Sequence, residues 1–415
     1  MSGSQPAPQP ESAGPPGEGA RLGEVARLFL KLGSIAFGGP AAHIAMMEDE
    51  VVRRRRWLSR AEFLDYLGAT NLIPGPNSTE MAIHIGHRRA GWAGLVVAGT
   101  CFILPAACLV GVIAWMYVRF GTLPAVTGLL YGVKPVVIAV VLRAIWGLGR
   151  AALRTRLVTV VGIAALVAAA LGVHELLVLF GAGAVMAIAA RVILAPGNGV
   201  PVVGLLMNPG DRQGPIRGIT SSVAATGVVA AAAGMAAPFS LWALFGVFAK
   251  IGAVLFGSGY VLLAFVRADL VERLGWLTER QLLDAVAIGQ VTPGPVFTTA
   301  TFVGYVLAGA PGAAVATIGI FLPAFIFVAI SGPIVPRLRR SALAGRVLDG
   351  VNVGSLALMT MVTWHLAGSA LVDPLTILVA VLSALLLLRF RTNSAWLVLA
   401  GAGVGLLASL GQRTP

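Results

Sequence analysis

The sequence predicts an all-α polytopic membrane protein whose two homologous halves form an inverted repeat with broken or re-entrant helices. Its 415 residues are 57% hydrophobic and 11% charged, and the mean hydropathy of +0.88 is well above that of soluble domains. Crossing a hydrocarbon layer of about 30 Å takes about 20 apolar residues. Runs of that kind cover 92–118, 125–148, 157–172 with 176–194, 219–237, 312–335 and 347–371.

The first half of the chain recurs in the second half. Residues 29–76 align with residues 248–295 at a constant offset of 219, and both blocks end on Pro-Gly-Pro. After a one-residue slip the offset is 218, and the motif Leu-Pro-Ala at 104–106 still matches the one at 322–324. A membrane chain with such a duplication is typically a transporter whose substrate binds between the halves.

The repeat divides the chain into four parts. The first twenty residues are rich in Pro, Gly, Ser and Ala, lack an apolar core and show no cleavable signal peptide, so we expect a disordered tail. The parts are the tail 1–20, a first transporter repeat 21–194, a linker with an inverting transmembrane helix 195–237, and a second repeat 238–411.

Charge predicts that the halves have opposite orientations. Arg53 to Arg56 lie in a strongly basic loop, whereas the matching residues 267–280 balance three arginines against three acids. Further along, Arg119 is alone, while its counterpart region holds four arginines between 337 and 346. A basic loop that matches a nearly neutral one is what the positive-inside rule predicts for an inverted repeat. The same rule accounts for the net charge of +13 without a nucleic-acid partner.

Glycine and proline break an apolar helix at matching places in each half. Such breaks create helix N-termini, whose free N–H groups and positive dipole ends can receive an anion. A packing kink is the alternative interpretation. The motifs are Phe37-Gly38-Gly39-Pro40 and Phe256-Gly257-Ser258-Gly259.

A second break follows in each half, with polar side chains on the first turn after Pro-Gly-Pro. These side chains can cap the new helix, hydrogen-bond an oxyanion, or do both. We therefore count both breaks as substrate-site candidates. The residues are Pro74-Gly75-Pro76-Asn77-Ser78-Thr79 in the first half and Pro293, Gly294, Pro295, Thr298 and Thr299 in the second.

Charged side chains in apolar helices are further candidates. Lys31 and Lys250 lie six residues before the Phe-Gly breaks and would supply positive charge to the site, with snorkelling to the interface as the alternative. Glu80 and His84 share a helix face and, with His43, are candidates for proton coupling. Asp65 and Asp284 are expected to pair with a lysine or arginine and hold the fold.

The residue patterns exclude several function classes. The chain has no Walker motif, no dinucleotide-binding motif and no Cys/His metal spacing, so we expect neither an enzyme nor a bound cofactor or metal. Cys101 and Cys108 lie seven residues apart in an apolar run, where core packing is the expected role.

These motifs together resemble the chromate ion transporter (CHR) family in its long two-domain form. The resemblance covers about residues 22 to 410 and depends on the two kinds of break and on Trp57-Leu58 with Trp276-Leu277. It implies a multi-pass protein of the bacterial inner membrane, linked to chromate efflux, for which sulfate is a close substrate analogue. Gly39-Pro40 aligns with Ser258-Gly259, so the two halves are expected to contribute unequally to the substrate site.

The resulting hypothesis is a secondary transporter that exports chromate, a tetrahedral dianion, from the cytoplasm. Membrane potential, proton exchange or both would drive it, and four half-helix N-termini would converge near the midplane. A transporter of sulfate or another oxyanion is the first alternative, and a membrane scaffold or channel without coupled transport is the second. The expected partners are the oxyanion and the lipid bilayer, and a homodimer is left open.

Overall fold

A computed structural model describes residues 18–36, 39–121, 123–194, 239–256, 259–390, 392 and 394–411. Every regular element in these ranges is helical. The predicted linker and inverting helix, residues 195–237, lie entirely outside the described residues, as does most of the predicted tail. The first helix begins at Glu18, three residues inside that tail.

The first repeat has seven α-helices within the described residues. They are α1 (Glu18–Ile35), α2 (Gly39–Glu48), α3 (Arg60–Thr70), α4 (Asn77–Phe120), α5 (Pro124–Ala152), α6 (Arg156–Ala170) and α7 (Glu175–Leu194). A π-helical turn, Asp49–Arg54, continues α2.

The second repeat, as far as it is described, has the same order of elements. They are α8 (Leu241–Val254), α9 (Leu262–Val266), α10 (Glu279–Val291), α11 (Thr299–Arg340), α12 (Ala342–Ala370), α13 (Pro374–Phe390) and α14 (Ser394–Gly411). A 3₁₀ turn, Gly259–Val261, precedes α9, a π-helical turn, Arg267–Arg273, follows it, and a 3₁₀ turn, Val296–Thr298, precedes α11.

The helices that lead to Pro-Gly-Pro begin with matching capping boxes. The Ser59 hydroxyl accepts from the Glu62 N–H at 3.2 Å, and the Glu62 carboxylate accepts from the Ser59 N–H at 2.9 Å. Thr278 and Gln281 form the same pair of bonds at the start of α10. A capping box satisfies two backbone donors that the first helical turn leaves free. The sequence Trp-Leu-Ser/Thr therefore starts α3 and α10.

The helices after Pro-Gly-Pro fold back on themselves. α4 leaves helical geometry at Ala90 and Gly91, and α11 does so at Ala308 and Gly309. A Cβ added at Gly86 would lie 2.2 Å from the Gly94 carbonyl oxygen, although eight residues of straight helix span about 12 Å. Each helix is thus a short arm, residues 77–90 in α4, packed against a long one. These two kinks were not predicted from the sequence. The predicted breaks lie earlier in each repeat, where α1 ends at Ile35 and α2 begins at Gly39, and where α3 ends at Thr70 and α4 begins at Asn77. Broken helices are confirmed at those places.

The second half of each repeat packs mainly on the other repeat. α5 of the first repeat contacts α13 and α14, and α12 of the second repeat contacts α6 and α7. α4 and α11 also contact each other directly. The two repeats therefore share one interior rather than forming separate bundles.

Length and composition agree with a membrane-spanning fold. Four described helices are long and apolar enough to cross a membrane, and their apolar ranges are Asn77–Phe120, Pro124–Ala152, Val296–Ser331 and Leu343–Ala370. Several shorter apolar helices accompany them. The all-α polytopic membrane fold with two homologous halves is confirmed.

Candidate functional site

The breaks of the two repeats meet through a reciprocal pair of backbone hydrogen bonds. The Gly75 N–H donates to the Leu255 carbonyl at 2.7 Å, and the Gly294 N–H donates to the Ala36 carbonyl at 2.9 Å. Gly75 and Gly294 are equivalent at the offset of 219, and so are Ala36 and Leu255. Each Pro-Gly-Pro turn thus binds the Phe-Gly break of the other repeat. A reciprocal exchange of this kind requires a two-fold relation between the halves.

Both turns need glycine. Gly75 has φ +138° and Gly294 has φ +92°, which side chains rarely adopt. A Cβ on Gly294 would also lie 2.5 Å from the Ala106 Cβ, and a Cβ on Gly75 would lie 3.6 Å from the Ala324 Cβ. Ala106 and Ala324 are the equivalent alanines of the two Leu-Pro-Ala motifs. Each turn therefore packs on the long arm of the other repeat.

A cavity of about 920 Å³ reaches this meeting point. Three of the four predicted breaks contribute to its lining, through Gly39 and Pro40, Asn77, and Phe256. Most of the rest of the lining comes from α5, α12 and the segment around the start of α14. The cavity is therefore shared between the two repeats.

Arg143 is the side chain at this cavity that sequence analysis missed. It projects from α5, and its Nη1 donates to the Thr392 carbonyl at 3.4 Å. Arg154 and Asp349 also line the cavity, so two guanidinium groups face one carboxylate there. A guanidinium presents several donors in a plane and suits tetrahedral oxyanions. The signal was available, because a charge within an apolar span indicates function.

Neutral donors complete the polar part of the lining. The Asn77 side-chain amide donates to the Asn71 side-chain oxygen at 2.8 Å, and both residues line the cavity. Ser355 and Thr392 line it as well, and their hydroxyl oxygens lack a hydrogen-bond partner within the described part of the chain. Such groups bind a solute or water when one is present.

The hydroxyl groups after the two Pro-Gly-Pro turns differ between the repeats. Thr298 donates to the Pro295 carbonyl and Thr299 to the Val296 carbonyl, each at 2.8 Å. Thr79, the equivalent of Thr298, is fully buried, and its hydroxyl has no partner among the described residues. Ser78 is buried too. The second-repeat hydroxyls thus stabilise their own turn, while that of Thr79 is available for another role.

Both predicted lysines lie in equivalent ion pairs. Lys31 Nζ is 2.7 Å from Glu50 Oε1, and Lys250 pairs with Asp269. Glu50 and Asp269 are themselves equivalent at the offset of 219, and each also pairs with the arginine four residues later. Neither lysine lines the large cavity. The lysine charge is therefore compensated locally by the π-helical turn, and substrate binding by these lysines stays a prediction.

Glu80 and His84 lie on one face of the short arm of α4. Glu80 is fully buried, and neither carboxylate oxygen has a hydrogen-bond partner within the described chain. Its Oε1 contacts the turn at Gly75, where an added Cβ would lie only 2.3 Å away. His84 is mostly buried and stacks on Tyr66 with ring centroids 5.2 Å apart. The Glu80 carboxyl group thus directly contacts the Pro-Gly-Pro turn that binds the other repeat.

His43 is placed as a support for the first break. Its Nε2 lies 3.0 Å from the Ala36 carbonyl oxygen, the same atom that accepts from Gly294. The ring is 1% exposed and packs edge-on against Phe102. This geometry favours positioning of the break, and proton coupling by His43 stays a prediction.

Other predicted residues divide into two groups. Asp284 pairs with Lys134, whose Nζ is 2.9 Å from Oδ1, so the expected pairing with a basic residue is found, although the partner is not a repeated one. Four residues of the predicted site lie outside the described part of the chain, namely Phe37, Gly38, Gly257 and Ser258. Among the residues that the structure describes, no group of His, Cys, Asp or Glu is placed to hold a metal ion.

A family model described as chromate transporter matches residues 23–188 and 242–406. The chain belongs to the chromate transporter family. Each match begins in the first helix of a repeat and ends in its last described helix, so both repeats carry the family pattern. Members of this family are transporters, and the chain is accordingly an integral membrane transporter rather than an enzyme.

Relatives from bacteria and an archaeon match over most of the chain. A chromate transport protein of Cupriavidus metallidurans is 32% identical over 93% of this chain and 93% of its own length. One of Pseudomonas aeruginosa is 33% identical over 82% of this chain and 79% of its own. An uncharacterised transporter of Methanocaldococcus jannaschii is 25% identical over 91% and 92%. No solved structure matches the chain.

Proposed function

We propose that the protein exports chromate from the cytoplasm across a bacterial inner membrane. Membership of the chromate transporter family supports the substrate class. One structural observation supports the site: a cavity shared by the two repeats joins three of the four helix breaks to Arg143. We assign chromate to this cavity, whose volume of about 920 Å³ leaves room for the ion and accompanying water.

The dianion is held by unequal contributions from the two repeats. The N-terminal ends of α2 and α4 direct their positive dipole ends and free N–H groups toward the cavity. Arg143 and Arg154 supply positive charge, and Asn77 supplies a neutral donor. The turn at Pro293 to Thr299 acts by positioning the first repeat's break, because its hydroxyls donate to its own carbonyls.

The direction and the driving force follow from electrostatics. An inside-negative potential contributes about 2.3 kcal/mol per charge per 100 mV to the expulsion of an anion, and a dianion gains twice that. Proton exchange through Glu80 adds a second driving force. Sulfate has the same shape and charge as chromate and is expected to compete, and a homodimer stays a prediction.

The deciding experiment measures chromate uptake into everted membrane vesicles, whose cytoplasmic face is outside. With an inside-positive potential, the wild type is expected to accumulate radiolabelled chromate, and excess sulfate to slow it. Arg143→Ala is expected to raise the half-saturating chromate concentration at least about tenfold, because a hydrogen bond to a charged group contributes about 1.5–3 kcal/mol.

The matched control is Arg150→Ala on the same helix. Arg150 is exposed and lines a separate groove, so chromate uptake should be close to wild type. Arg143→Lys keeps the charge but loses the planar donor set, so its half-saturating chromate concentration should lie between those of the wild type and Arg143→Ala. Unchanged uptake by Arg143→Ala, with normal protein level, would remove Arg143 from the site. No potential-dependent uptake by the wild type would refute chromate export.

A further inference from the structure

A second cavity of about 440 Å³ lies at the opposite end of the shared helices. The large cavity is lined by α5 between residues 140 and 152 and by α12 between 349 and 356. The second is lined by α5 between 127 and 134 and by α12 between 369 and 372. The equivalent helices α5 and α12 therefore run antiparallel, as an inverted repeat requires, and the cavities open at opposite ends of them.

The two cavities are counterparts under the repeat. At the offset of 218, Tyr131 corresponds to Asp349 and Lys134 to Asn352, and the first of each pair lines the second cavity while the other lines the large one. Ser369 of the second cavity corresponds to Ala151 of the large one in the same way. One structural device thus occurs twice, once at each end of the molecule.

A buried polar cluster closes the second cavity toward the centre. Lys134 Nζ lies 2.9 Å from Asp284 Oδ1, and the Tyr117 hydroxyl donates to Asp284 Oδ2 at 2.8 Å. The cluster joins α5, α10 and α4, and Asp284 is 1% exposed. Removing one member of a buried charge pair leaves the other uncompensated, so the cluster holds these three helices together. We call Lys134, Asp284 and Tyr117 the lock.

The lock has no equivalent at the large cavity. Asn352 stands in place of Lys134, Val335 in place of Tyr117, and Asp65, the equivalent of Asp284, is exposed. The helices differ accordingly. The main neighbours of α3 are α4 and α11, whereas α10 contacts α11 and α4 and in addition packs on α5, α12 and α14. Leu283 of α10 is 1% exposed and its equivalent Leu64 of α3 is 51% exposed. The repeats therefore adopt two different conformations in one molecule.

We propose that the second cavity is the other mouth of the transport path and that the lock keeps this mouth separated from the large cavity in this state. The opposite state arises when the repeats exchange conformations, so that α10 moves away from α5 and α3 closes on α12. Lys134 and Arg280 then face the oxyanion as it leaves, since the described lining of this cavity holds both cations and no carboxylate. This inference rests on the proposed transport function for its substrate only.

Cysteine accessibility tests the two mouths. The chain has two cysteines, and Cys101→Ser with Cys108→Ser gives a background for single reporters. Ala151→Cys and Ser369→Cys are matched, because they are equivalent and both exposed. A membrane-impermeant maleimide applied to right-side-out and to everted vesicles should label the two reporters from opposite sides. Labelling of both from the same side would overturn the proposal.

A third reporter, Leu283→Cys, reads the state of the lock. It should be protected in the background protein, and adding Lys134→Met should raise its labelling rate about tenfold, since the lock loses a charged pair. Lys134→Arg, which keeps the charge, should leave it protected. The double exchange Lys134→Asn with Asn352→Lys moves the cation to the large cavity and should expose Leu283→Cys too. If Leu283→Cys stays protected with Lys134→Met and also with the double exchange, the proposed lock is wrong.

These assays need no substrate, so they separate the two proposals. Labelling from opposite sides without chromate uptake would support the two mouths of the transport path and refute chromate as the substrate. Chromate uptake with labelling from one side would support transport and refute the second mouth.

Discussion

Glu80 is a carboxyl group that touches the Gly75 turn and lacks a partner in the described interior. An unpaired buried charge is costly, so Glu80 is expected to carry a proton while it is buried as in this structure. Glu80→Gln mimics that protonated form. We predict that it abolishes chromate uptake driven by a pH gradient alone while uptake driven by an imposed potential persists, as measured in everted vesicles with each force applied separately.

His87→Gln is the control for that experiment, because His87 is on the same arm but exposed. It should retain both forms of uptake. If Glu80→Gln responds to the pH gradient as the wild type does, proton coupling through this residue is wrong.

The pair between Lys31 and Glu50 makes a prediction about pH. The hydrogen bond from Lys31, helped by Arg55, holds the pKa of Glu50 below its ordinary value despite partial burial. A lowered folded-state pKa stabilises the protein above the ordinary pKa of about 4.3, and this stability is lost as pH falls through the folded value. Lys31→Met should therefore lower the unfolding temperature of detergent-solubilised protein near neutral pH and lessen its fall under acid.

A double substitution separates the pair from the rest of the fold. Lys31→Met leaves Glu50 with only its two arginine partners, Arg54 and Arg55, whereas Lys31→Met with Glu50→Gln removes both charges of the pair and should recover part of the loss. If the losses of Lys31→Met and Glu50→Gln, measured singly, add up to the loss of the double variant, the two side chains do not stabilise the fold as a pair.

At the scale of elements, the crossing of the two Pro-Gly-Pro turns makes glycine necessary. Gly294→Ala places a Cβ 2.5 Å from the Ala106 Cβ in a backbone conformation with positive φ. We predict little folded protein in the membrane, as measured by fluorescence-detected size exclusion. Adding Ala106→Gly removes the nearest clash and should restore part of the folded protein, since the strained φ and the Gly33 carbonyl contact remain.

Gly309→Ala provides the matched control for this element. Gly309 also has positive φ, but an added Cβ there meets nothing within 4 Å. Gly309→Ala should therefore lower the free energy of unfolding only by the backbone strain of a left-handed residue, about 1–2 kcal/mol. Equal losses in the two variants would show that strain, rather than the contact between repeats, explains the need for glycine at 294.

The sequence predicted the elements better than the partners of their side chains. Helix breaks at Gly39-Pro40 and at both Pro-Gly-Pro turns follow from local backbone chemistry, which sequence expresses directly. Glu50 and Asp269, in contrast, are not identical residues, so comparing the halves for identity did not pair them with Lys31 and Lys250. Arg143 was missed because it has no repeat equivalent; its position inside an apolar span was the available signal.

At the scale of the whole molecule, each repeat completes the other. α12 packs on α6 and α7, and α5 packs on α13 and α14. Helix backbones meet closely there, since a Cβ at Gly132 would lie 1.9 Å from the Gly401 carbonyl oxygen and one at Gly350 would lie 2.3 Å from that of Ala182. Such close contact is how helices associate in lipid, where the hydrophobic effect is weak.

Expression of the chain as two pieces tests this dependence. A split within residues 195–217 is expected to yield a functional transporter when both pieces are co-expressed, because the described contacts between the repeats are made by helices outside that range. Either piece alone should fail to accumulate, since its packing partners are missing. Stable accumulation of one piece, measured in isolated membranes, would argue for independent repeats.

The sequence by itself determined the membrane class, the duplication, the helix breaks at the Phe-Gly and Pro-Gly-Pro motifs and, through loop charge, the expectation of inversion. These features are local or periodic, and each is set by the residues that display it. Only the tertiary structure decided that Gly75 and Gly294 bind the opposite repeat, that the lysines are compensated, that Arg143 reaches the shared cavity, and that Asp284 is buried while Asp65 is exposed. Those outcomes depend on which surfaces two nearly equivalent repeats present to each other, and a packing choice between distant segments is not encoded at any single position.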